Sequence, residues 1–439
     1  IKNLSKKHPG YDIRLKAIGG GGGKGQRIVS SSDAARSSEL VTEILQEVKA
    51  TGAGDNKNIV VELNVKATRH QEIQVVGNGD WCVTLGGRDC SIQMHEQKLL
   101  EVSVIDETLT SEVEKLKTRG LAREARLIQS ELNLLRQMEK EAARFGSAVG
   151  LDSVSTFECI VSKSDHFFME MNTRIQVEHR VSELCYGLKF INPSDIKDYF
   201  VCNSLVELMV LLAAHGKVLP EPERVLRYPA SVEARLNATN EALKPHAGGI
   251  VEYWSNPLDI EIRDDQGISL NNPDTGMFMK YHLAGAYDSN IALLLSVGAS
   301  RREAFENISE IFRNTQLIGE NLSTNLHFHY GLINWLISQN VNAQPTTEFV
   351  APYLTAVGQL KAAASQVDVE FAWNLIEKNL LAKEGDSDIS ELSEIIHAKK
   401  VLLLRPISLL LSNPHLLSGW LSLNRDSYTI IGVRISLND

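Results

Sequence analysis

The stretch "FMEMNTRIQVEH" (residues 168–179) places Glu170, Asn172, Arg174, Gln176 and Glu178 at every second position. In an extended chain neighbouring side chains point to opposite faces. These five therefore share one face, with Met171, Ile175, Val177 and the polar Thr173 on the other. Glu158 lies upstream, and a hairpin turning at Ser164 sets it directly opposite Glu170. Two facing carboxylates repel unless a cation lies between them, and Mg²⁺ is a hard ion that takes oxygen ligands. Glu158, Glu170 and Asn172 then make an oxygen cluster suited to one or two such ions. Arg174 offers a planar fork for a small oxyanion. Glu178 is the candidate general base, its basicity set by burial and by the nearby Arg174. A solvated polar sheet face produces the same alternation and is the competing reading.

A second unusual stretch, "KAIGGGGGKGQRIV" (residues 16–29), lies near the start of the chain. Glycine loses much backbone freedom on folding and returns no packing. Five in a row mark either a linker or a loop whose bare N–H groups close on a ligand. The flanks "YDIRLKA" and "RIVSS" read as strands, which makes the loop a hairpin-like flap. A Walker loop would instead open a helix and end in Gly-Lys-Ser/Thr, whereas here Gln26 follows Gly25. A glycine-rich anion clamp together with a carboxylate metal site argues for a nucleoside triphosphate.

The elements that must position these groups follow from pattern. A helix capped near residues 31–33 carries Leu40, Ile44 and Val48 on one stripe. "NIVVELNV" reads as a strand, and Asn78-Gly79 turns a hairpin. Residues 107–146 read as helical, with Ile128, Leu132, Leu135, Met138, Ala142 and Phe145 forming a core stripe. A mostly helical stretch is expected from Pro193 to about Leu219, and Pro220 and Pro222 mark a boundary. "ASVEARLNA", "GGIVEYW" and "IEIRDD" then read as strands of a new β-rich unit, followed by the helix "SRREAFENISEIFRN". Past Pro352 a Leu-rich helical segment leads to a final strand, "YTIIGVRISL".

Composition bounds the class. A length of 439 residues suggests two or three domains. A formal charge of −10 argues against an extended surface for duplex nucleic acid. Five scattered cysteines without a C-x-x-C pair fit a reducing compartment better than a disulfide framework. No apolar run reaches membrane-spanning length.

The set "KAIGGGGGKG", "RHQEIQV", "RDCSIQ…QK", "FMEMNTRIQVEH", "VEARLNA" and "YDSNIALLL" resembles the biotin carboxylase component of biotin-dependent acyl-CoA carboxylases, an ATP-grasp family. The resemblance runs over most of residues 10–335. It implies an α+β chain, with an ATP-grasp fold followed by a β-rich carboxylase C-terminal domain and a helical extension. The divisions expected are a lid subdomain at 1–64, a catalytic subdomain at 65–222, a C-terminal domain at 223–352 and an extension or linker at 353–439. The implied activity is an ATP-dependent ligase that activates bicarbonate as carboxyphosphate and carboxylates biotin, within a carboxylase of acetyl-CoA or propionyl-CoA type. ATP, Mg²⁺ or Mn²⁺, and biotin on a separate carrier domain are the implied cofactors.

Site roles follow from the same resemblance. Lys16, Gly22, Gly23, Gln26, Glu62, Leu63, His70, Gln93 and Ile160 are the implied ATP contacts. Glu158, Glu170 and Asn172 are the implied metal ligands. Lys98, Arg174, Gln176, Val177 and Glu178 would surround bicarbonate, with Glu178 as base, and Arg235 would stabilise the biotin enolate. Lys98, Arg174, Glu178 and Arg235 make up the implied catalytic set. A carrier domain, a carboxyltransferase and a second copy of the chain are the implied partners, with no nucleic acid and no membrane. A cytoplasmic setting is expected, the mitochondrial matrix being the other choice. The chain reads as an internal segment of a larger multidomain carboxylase.

The chain departs from the family pattern at several places, among them a lysine replaced by Leu293 or a neighbour after the "YDS" segment and a long helix extended near 107–146. "QMHEQK" (residues 93–98) replaces a basic run, "SVST" stands before Glu158 where glycines are usual, and Arg180 replaces a proline after His179. Two rival readings stay open at this level. One is another ATP-grasp ligase of carbamoyl-phosphate-synthetase type, and the other is a non-catalytic structural subunit.

Overall fold

In the computed structural model, the alternating apolar residues Ile13, Leu15 and Ala17 are buried on one face of β1 (Asp12–Ala17). The structure describes residues 2–18, 25–30, 36–50, 58–66, 68–95, 97–162, 165–246, 249–265, 274–275, 277, 279–283, 289–364, 366, 371, 374, 378, 421–424 and 427–430. After a short helix α1 (Lys2–Lys7), β1 pairs antiparallel with β2 (Gln26–Val29) and with β3 (Ile59–Asn64), giving a three-stranded sheet ordered β2-β1-β3. Lys16 stands opposite Gln26, so the glycine run does join two paired strands. Gly22 and Gly23 lie outside the described residues. Helix α2 (Ser37–Ala50) presses Ile44 and Val48 onto the buried face of β1, as its stripe requires.

An eight-stranded antiparallel sheet forms the rest of the frame, ordered β15-β17-β12-β6-β5-β4-β7-β8. Its strands are β4 (Arg69–Asn78), β5 (Cys82–Met94), β6 (Gln97–Val104), β7 (Asp152–Ser162), β8 (Asp165–Asn172), β12 (Ala230–Asn237), β15 (Ile262–Asp265) and β17 (Asn290–Gly298). The β4–β5 turn follows Asn78, with Gly79 at φ +88°, as the Asn-Gly pair predicts. All ten residues of β4 are buried, because this strand is covered on both faces.

One side of that sheet is covered by α3 (Asp106–Thr118) and α4 (Ala122–Ala148), which bury Leu109, Val113, Ile128, Leu132, Leu135, Met138 and Ala142. The expected helical stretch is thus two helices. Gly120 takes φ +74°, where the Gly120 N–H donates to Lys117 O at 3.0 Å and the Leu121 N–H to Leu116 O at 2.9 Å. This paired arrangement closes a helix end and favours glycine after it.

The expectation of helix from Pro193 onward is corrected. Helix α5 (His179–Cys185) leads into β9 (Tyr186–Asn192), β10 (Asp195–Cys202) returns beside it, and only then does α6 (Leu205–His215) begin. Ser204 starts α6 by accepting a hydrogen bond from the Glu207 N–H at 3.4 Å. β11 (Glu223–Leu226) completes a small sheet, β10-β9-β11.

The segment "ASVEARLN" does form a strand, β12, but it joins the large sheet through β6. Two-residue strands β13 (Ile250–Val251), β14 (Tyr253–Trp254), β16 (Tyr281–His282) and β18 (Leu317–Ile318) pair as β13-β16 and β14-β18. Helices α7 (Arg301–Asn314), α8 (Leu326–Gln339) and α9 (Val350–Ala364) share one core with Val232, Ala234, Leu294, Leu99 and Leu100. Towards the end, β19 (Leu421–Asn424) pairs with β20 (Ser427–Ile430). All five cysteines are free thiols. Among the described residues, no helix is long and apolar enough to cross a membrane.

Candidate active site

Strand register builds the site. Glu72 on β4 stands opposite Glu158 on β7, and Glu158 stands opposite Glu170 on β8. Directly opposed residues share a face, so three carboxylates form a row across three strands. A simple hairpin closing at Ser162–Asp165 would set Glu158 against Met169. An irregularity between Glu158 and Cys159 shifts the register by one and brings Glu170 into the row. On the other flank Arg88 of β5 stands opposite Glu72, and Glu101 of β6 stands opposite Glu233 of β12.

The carboxylates are held apart by cations and amides. Lys98 Nζ lies 2.7 Å from Glu72 Oε2 and 3.9 Å from Glu158 Oε1, and it also bonds Glu178 Oε1. Arg235 donates through Nε to Glu101 Oε1 at 2.7 Å and through Nη2 to Glu178 Oε2 at 2.9 Å. Glu178 is therefore clasped on both oxygens. Asn172 Nδ2 and Gln176 Nε2 each donate to Glu158 Oε1 at 2.7 Å. His70 Nε2 stands 3.2 Å from Glu158 Oε2. Lys16 reaches over from the small sheet to pair with Glu170 Oε2 at 2.9 Å.

The row does not run on as a strand to residue 178. β8 ends at Asn172, and a turn leads into α5. Gln176 and Glu178 still point inward and are buried. Arg174 is exposed, and among the described residues its Nη1 donates to the neighbouring Ile175 O at 3.2 Å, while Val177 faces outward. The expected five-residue face is thus reduced to its two ends, because the chain leaves the extended conformation between them.

The remaining sequence-derived candidates are dispersed. Ile160 stands opposite His70 across β7 and β4, and Gln93 is half-buried opposite Lys98. Glu62 sits on β3 opposite Arg14, while Leu63 packs into the small sheet's own core. Gln26 Oε1 accepts from Arg14 Nη1 at 2.6 Å. Four buried charges were not singled out from sequence, namely Glu72, Arg88, Glu101 and Glu233. A signal existed for the first, since His70, Glu72 and Gln74 repeat at every second position as residues 170–178 do.

Charge and burial set opposite proton affinities. Burial alone would raise the Glu72 carboxyl, but Arg88 and Lys98 outweigh it and bring it down to about 2. Glu158 likewise falls to about 2, because His70 and Lys98 more than offset burial. Glu178 is lowered from 4.5 despite burial and the nearby Glu72, because Lys98, Arg235 and Arg88 face it. Glu101 goes the other way, to about 7, because its full burial and the Glu178 charge outweigh Arg235.

These directions predict a dome in stability against pH. The contribution of Glu72 and Glu158 is complete above their unfolded value of 4.5 and is lost as pH falls toward about 2. Glu101 keeps a proton that the unfolded chain sheds above 4.5, so its contribution is lost as pH rises through about 7. Urea midpoints should therefore fall on both limbs. Glu101→Gln should flatten the limb that falls between pH 4.5 and about 7, by on the order of 3 kcal/mol once the pH is above that range. An unchanged fall over that range in the variant would contradict the assignment.

Comparison with known proteins places this geometry in context. The family model for the carbamoyl-phosphate synthase L chain, ATP binding domain, matches residues 3–129 and 125–194. Biotin carboxylase 1 of Bacillus subtilis is 29% identical over 351 residues, covering 78% of this chain and 65% of that protein. The chain is similar to biotin carboxylases over about three quarters of its length. The mitochondrial methylcrotonoyl-CoA carboxylase subunit alpha of Rattus norvegicus is 30% identical over 323 residues, covering 73% of this chain and 38% of the rat protein. The crystal structure of a biotin carboxylase–β,γ-ATP complex from Campylobacter jejuni superposes with a TM-score of 0.59 at 25% identity, over 80% of this chain and 66% of that one. The mixed helix-and-sheet architecture is accordingly that of the biotin carboxylase ATP-grasp fold. The chain spans less than two thirds of the length of the curated biotin carboxylases it matches, 65% and 61% for two bacterial ones.

Proposed function

We propose that this chain is the ATP-grasp part of a biotin carboxylase, which uses ATP and bicarbonate to carboxylate biotin by way of carboxyphosphate. The observation that carries the reading is Glu178, buried and clasped between Lys98 and Arg235 beside the Glu158–Glu170 pair. A carboxylate so neutralised is a poor base at rest. A bicarbonate anion entering beside it would compete for Lys98 and Arg235, with Arg174 able to swing in from the surface. Each cation drawn onto the substrate raises the proton affinity of Glu178 at the point where a proton must be taken.

Lys16 is poised for a similar exchange, leaving Glu170 for a phosphate of the nucleotide. The glycine-rich flap, Gln26, Glu62, Leu63, His70, Gln93 and Ile160 complete the proposed ATP contacts. Glu158, Glu170 and Asn172 are an all-oxygen set that fits Mg²⁺, since Asn172 spends its amide nitrogen on Glu158 and keeps its oxygen for a cation. When bound, the ion would supply charge neutralisation on the phosphates. Arg235, fixed at Nε by Glu101, would meet the enolate of biotin. Biotin would arrive on a carrier domain, and a carboxyltransferase would use the product on an acyl-CoA of acetyl or propionyl type. A homo-oligomer and a cytoplasmic or matrix setting belong to the same reading.

The test is substrate dependence in the intact protein. ADP release should require bicarbonate and rise with free biotin, and it should be indifferent to ammonium. Stimulation by ammonium, or hydrolysis that ignores bicarbonate, would overturn the proposal.

A further inference from the structure

Glu233 is fully buried on β12, and neither of its carboxyl oxygens has a hydrogen-bond partner among the described residues. Glu101 Oε2 is buried and unpartnered in the same way. Three dry, unbonded carboxyl oxygens are unfavourable, and two like charges so placed are worse. Strand register sets these groups together. Glu101 on β6 stands directly opposite Glu233, and Leu295 of β17 stands opposite it on the other flank. Opposed side chains have Cβ atoms about 4.5–5.5 Å apart, within reach of a direct contact between carboxyls.

Arg235 lies two residues on from Glu233 and shares its face of β12. Its Nε donates to Glu101 Oε1 at 2.7 Å. Helix α5 closes over this face: Ser231 Oγ donates to Val181 O at 2.6 Å, and Leu184 packs with Leu293 and Leu295. Glu101 therefore has a guanidinium to balance its charge, whereas Glu233 has apolar cover and a carboxylate opposite. The charged groups around Glu233 are Glu101 from β6, Arg235 from its own strand, Glu178 at the start of α5 and Arg88 from β5. Burial and the Glu101 charge hold the Glu233 carboxyl well above the usual carboxylate range, against the pull of Arg235. A single proton on Glu233 removes the repulsion and satisfies two of the three stranded oxygens.

We infer that Glu233 is a neutral acid whose O–H donates to Glu101 Oε2, and that it is a positioning residue which locks Glu101 so that Oε1 holds Arg235 in place for biotin. The part played toward biotin rests on the proposed function, whereas the hydrogen bond does not. With Oε2 bonded, Glu101 is kept from rotating away from Arg235, as outer partners fix the ligands of other sites. The same bond favours the charged form of Glu101 and so preserves the ion pair that fixes the guanidinium.

The first test is infrared spectroscopy of the intact protein at about pH 8, far above the ordinary glutamate value of about 4.3. The carbonyl stretch of a protonated carboxyl should stand above the amide band, and Glu233→Gln should remove it. The second test is kinetic. Glu233→Gln keeps a donor without a charge, so its biotin-stimulated turnover should stay near wild type. Glu233→Met removes the donor, and kcat with biotin should fall about 10–100-fold with the KM for ATP little changed, the scale on which a misplacement of about 1 Å acts. The rising limb of its pH profile should also move to higher pH, because Glu101 loses a donor to its charged form. A carboxyl band that survives or is absent from the start, or equal turnover in the two variants, would overturn the inference. A wild-type protein without biotin-stimulated turnover would count against the proposed function alone. Crystal structures of the two variants then decide, and an undisplaced Arg235 guanidinium in Glu233→Met would overturn the positioning role.

Discussion

Glu178→Gln should lower bicarbonate-dependent, biotin-stimulated ATP cleavage by about 10²–10⁴-fold, the range a positioned general base contributes. The amide keeps the shape of the side chain but can accept through its single oxygen from only one of Lys98 and Arg235, and these two cations retain Glu72 and Glu101 as hydrogen-bond partners. Folding and nucleotide affinity should therefore stay near wild type. The separation between intact binding and lost turnover is the informative part. A turnover number within about tenfold of wild type would remove Glu178 from the role of base.

Arg88→Met should be the most damaging single change to stability. The guanidinium is fully buried and donates to Glu72 Oε1, Gln74 Oε1, Ser182 Oγ, Thr156 Oγ1 and Gln176 Oε1. It thereby ties β4, β5, β7, α5 and the turn after β8 into one network. Removing it strands the Glu72 charge away from water, with Lys98 as its remaining close cation. Breaking a buried pair from one side costs about 3–5 kcal/mol. A urea midpoint shift of that size is expected, and adding Glu72→Gln should recover part of it because the stranded charge is gone. A midpoint within about 1 kcal/mol of wild type in Arg88→Met would show the network to be dispensable.

The part of the site written in local pattern could be read from sequence. A turn centred on Ser164 predicts that Glu158 faces Glu170, and the two do face each other, but through an irregularity after Glu158 in a hairpin closing at Ser162–Asp165 that the letters do not show; the Asn78-Gly79 hairpin was legible from turn chemistry. The flap strands followed from alternation around the glycines. Arg88 was not legible, because its five partners come from residues 72, 74, 156, 176 and 182 and only tertiary packing gathers them. An arginine in a strand reads as solvent-facing until such a network is known. The exposed Arg174 is the converse case. The alternation from 170 to 178 continues in the letters after the strand has ended, so parity misled about its middle. β10 was missed because the Leu-rich helix that follows it dominated the reading of residues 193–219. The break between α3 and α4 was available in Gly120, yet the continuous apolar stripe concealed it.

The pairing of β6 with β12 bears on how such a protein could be recombined. Val102 lies against Val232, Glu101 against Glu233 and Leu100 against Ala234, so the chain on either side of residue 222 is stitched along a single ladder that also presents Lys98, Glu178 and Arg235 to one another. Grafting the later portion of a relative onto the earlier portion of this one would have to conserve that seam residue for residue. A one-step slip would turn Arg235 to the opposite side and dismantle the clasp while each half still looked properly folded.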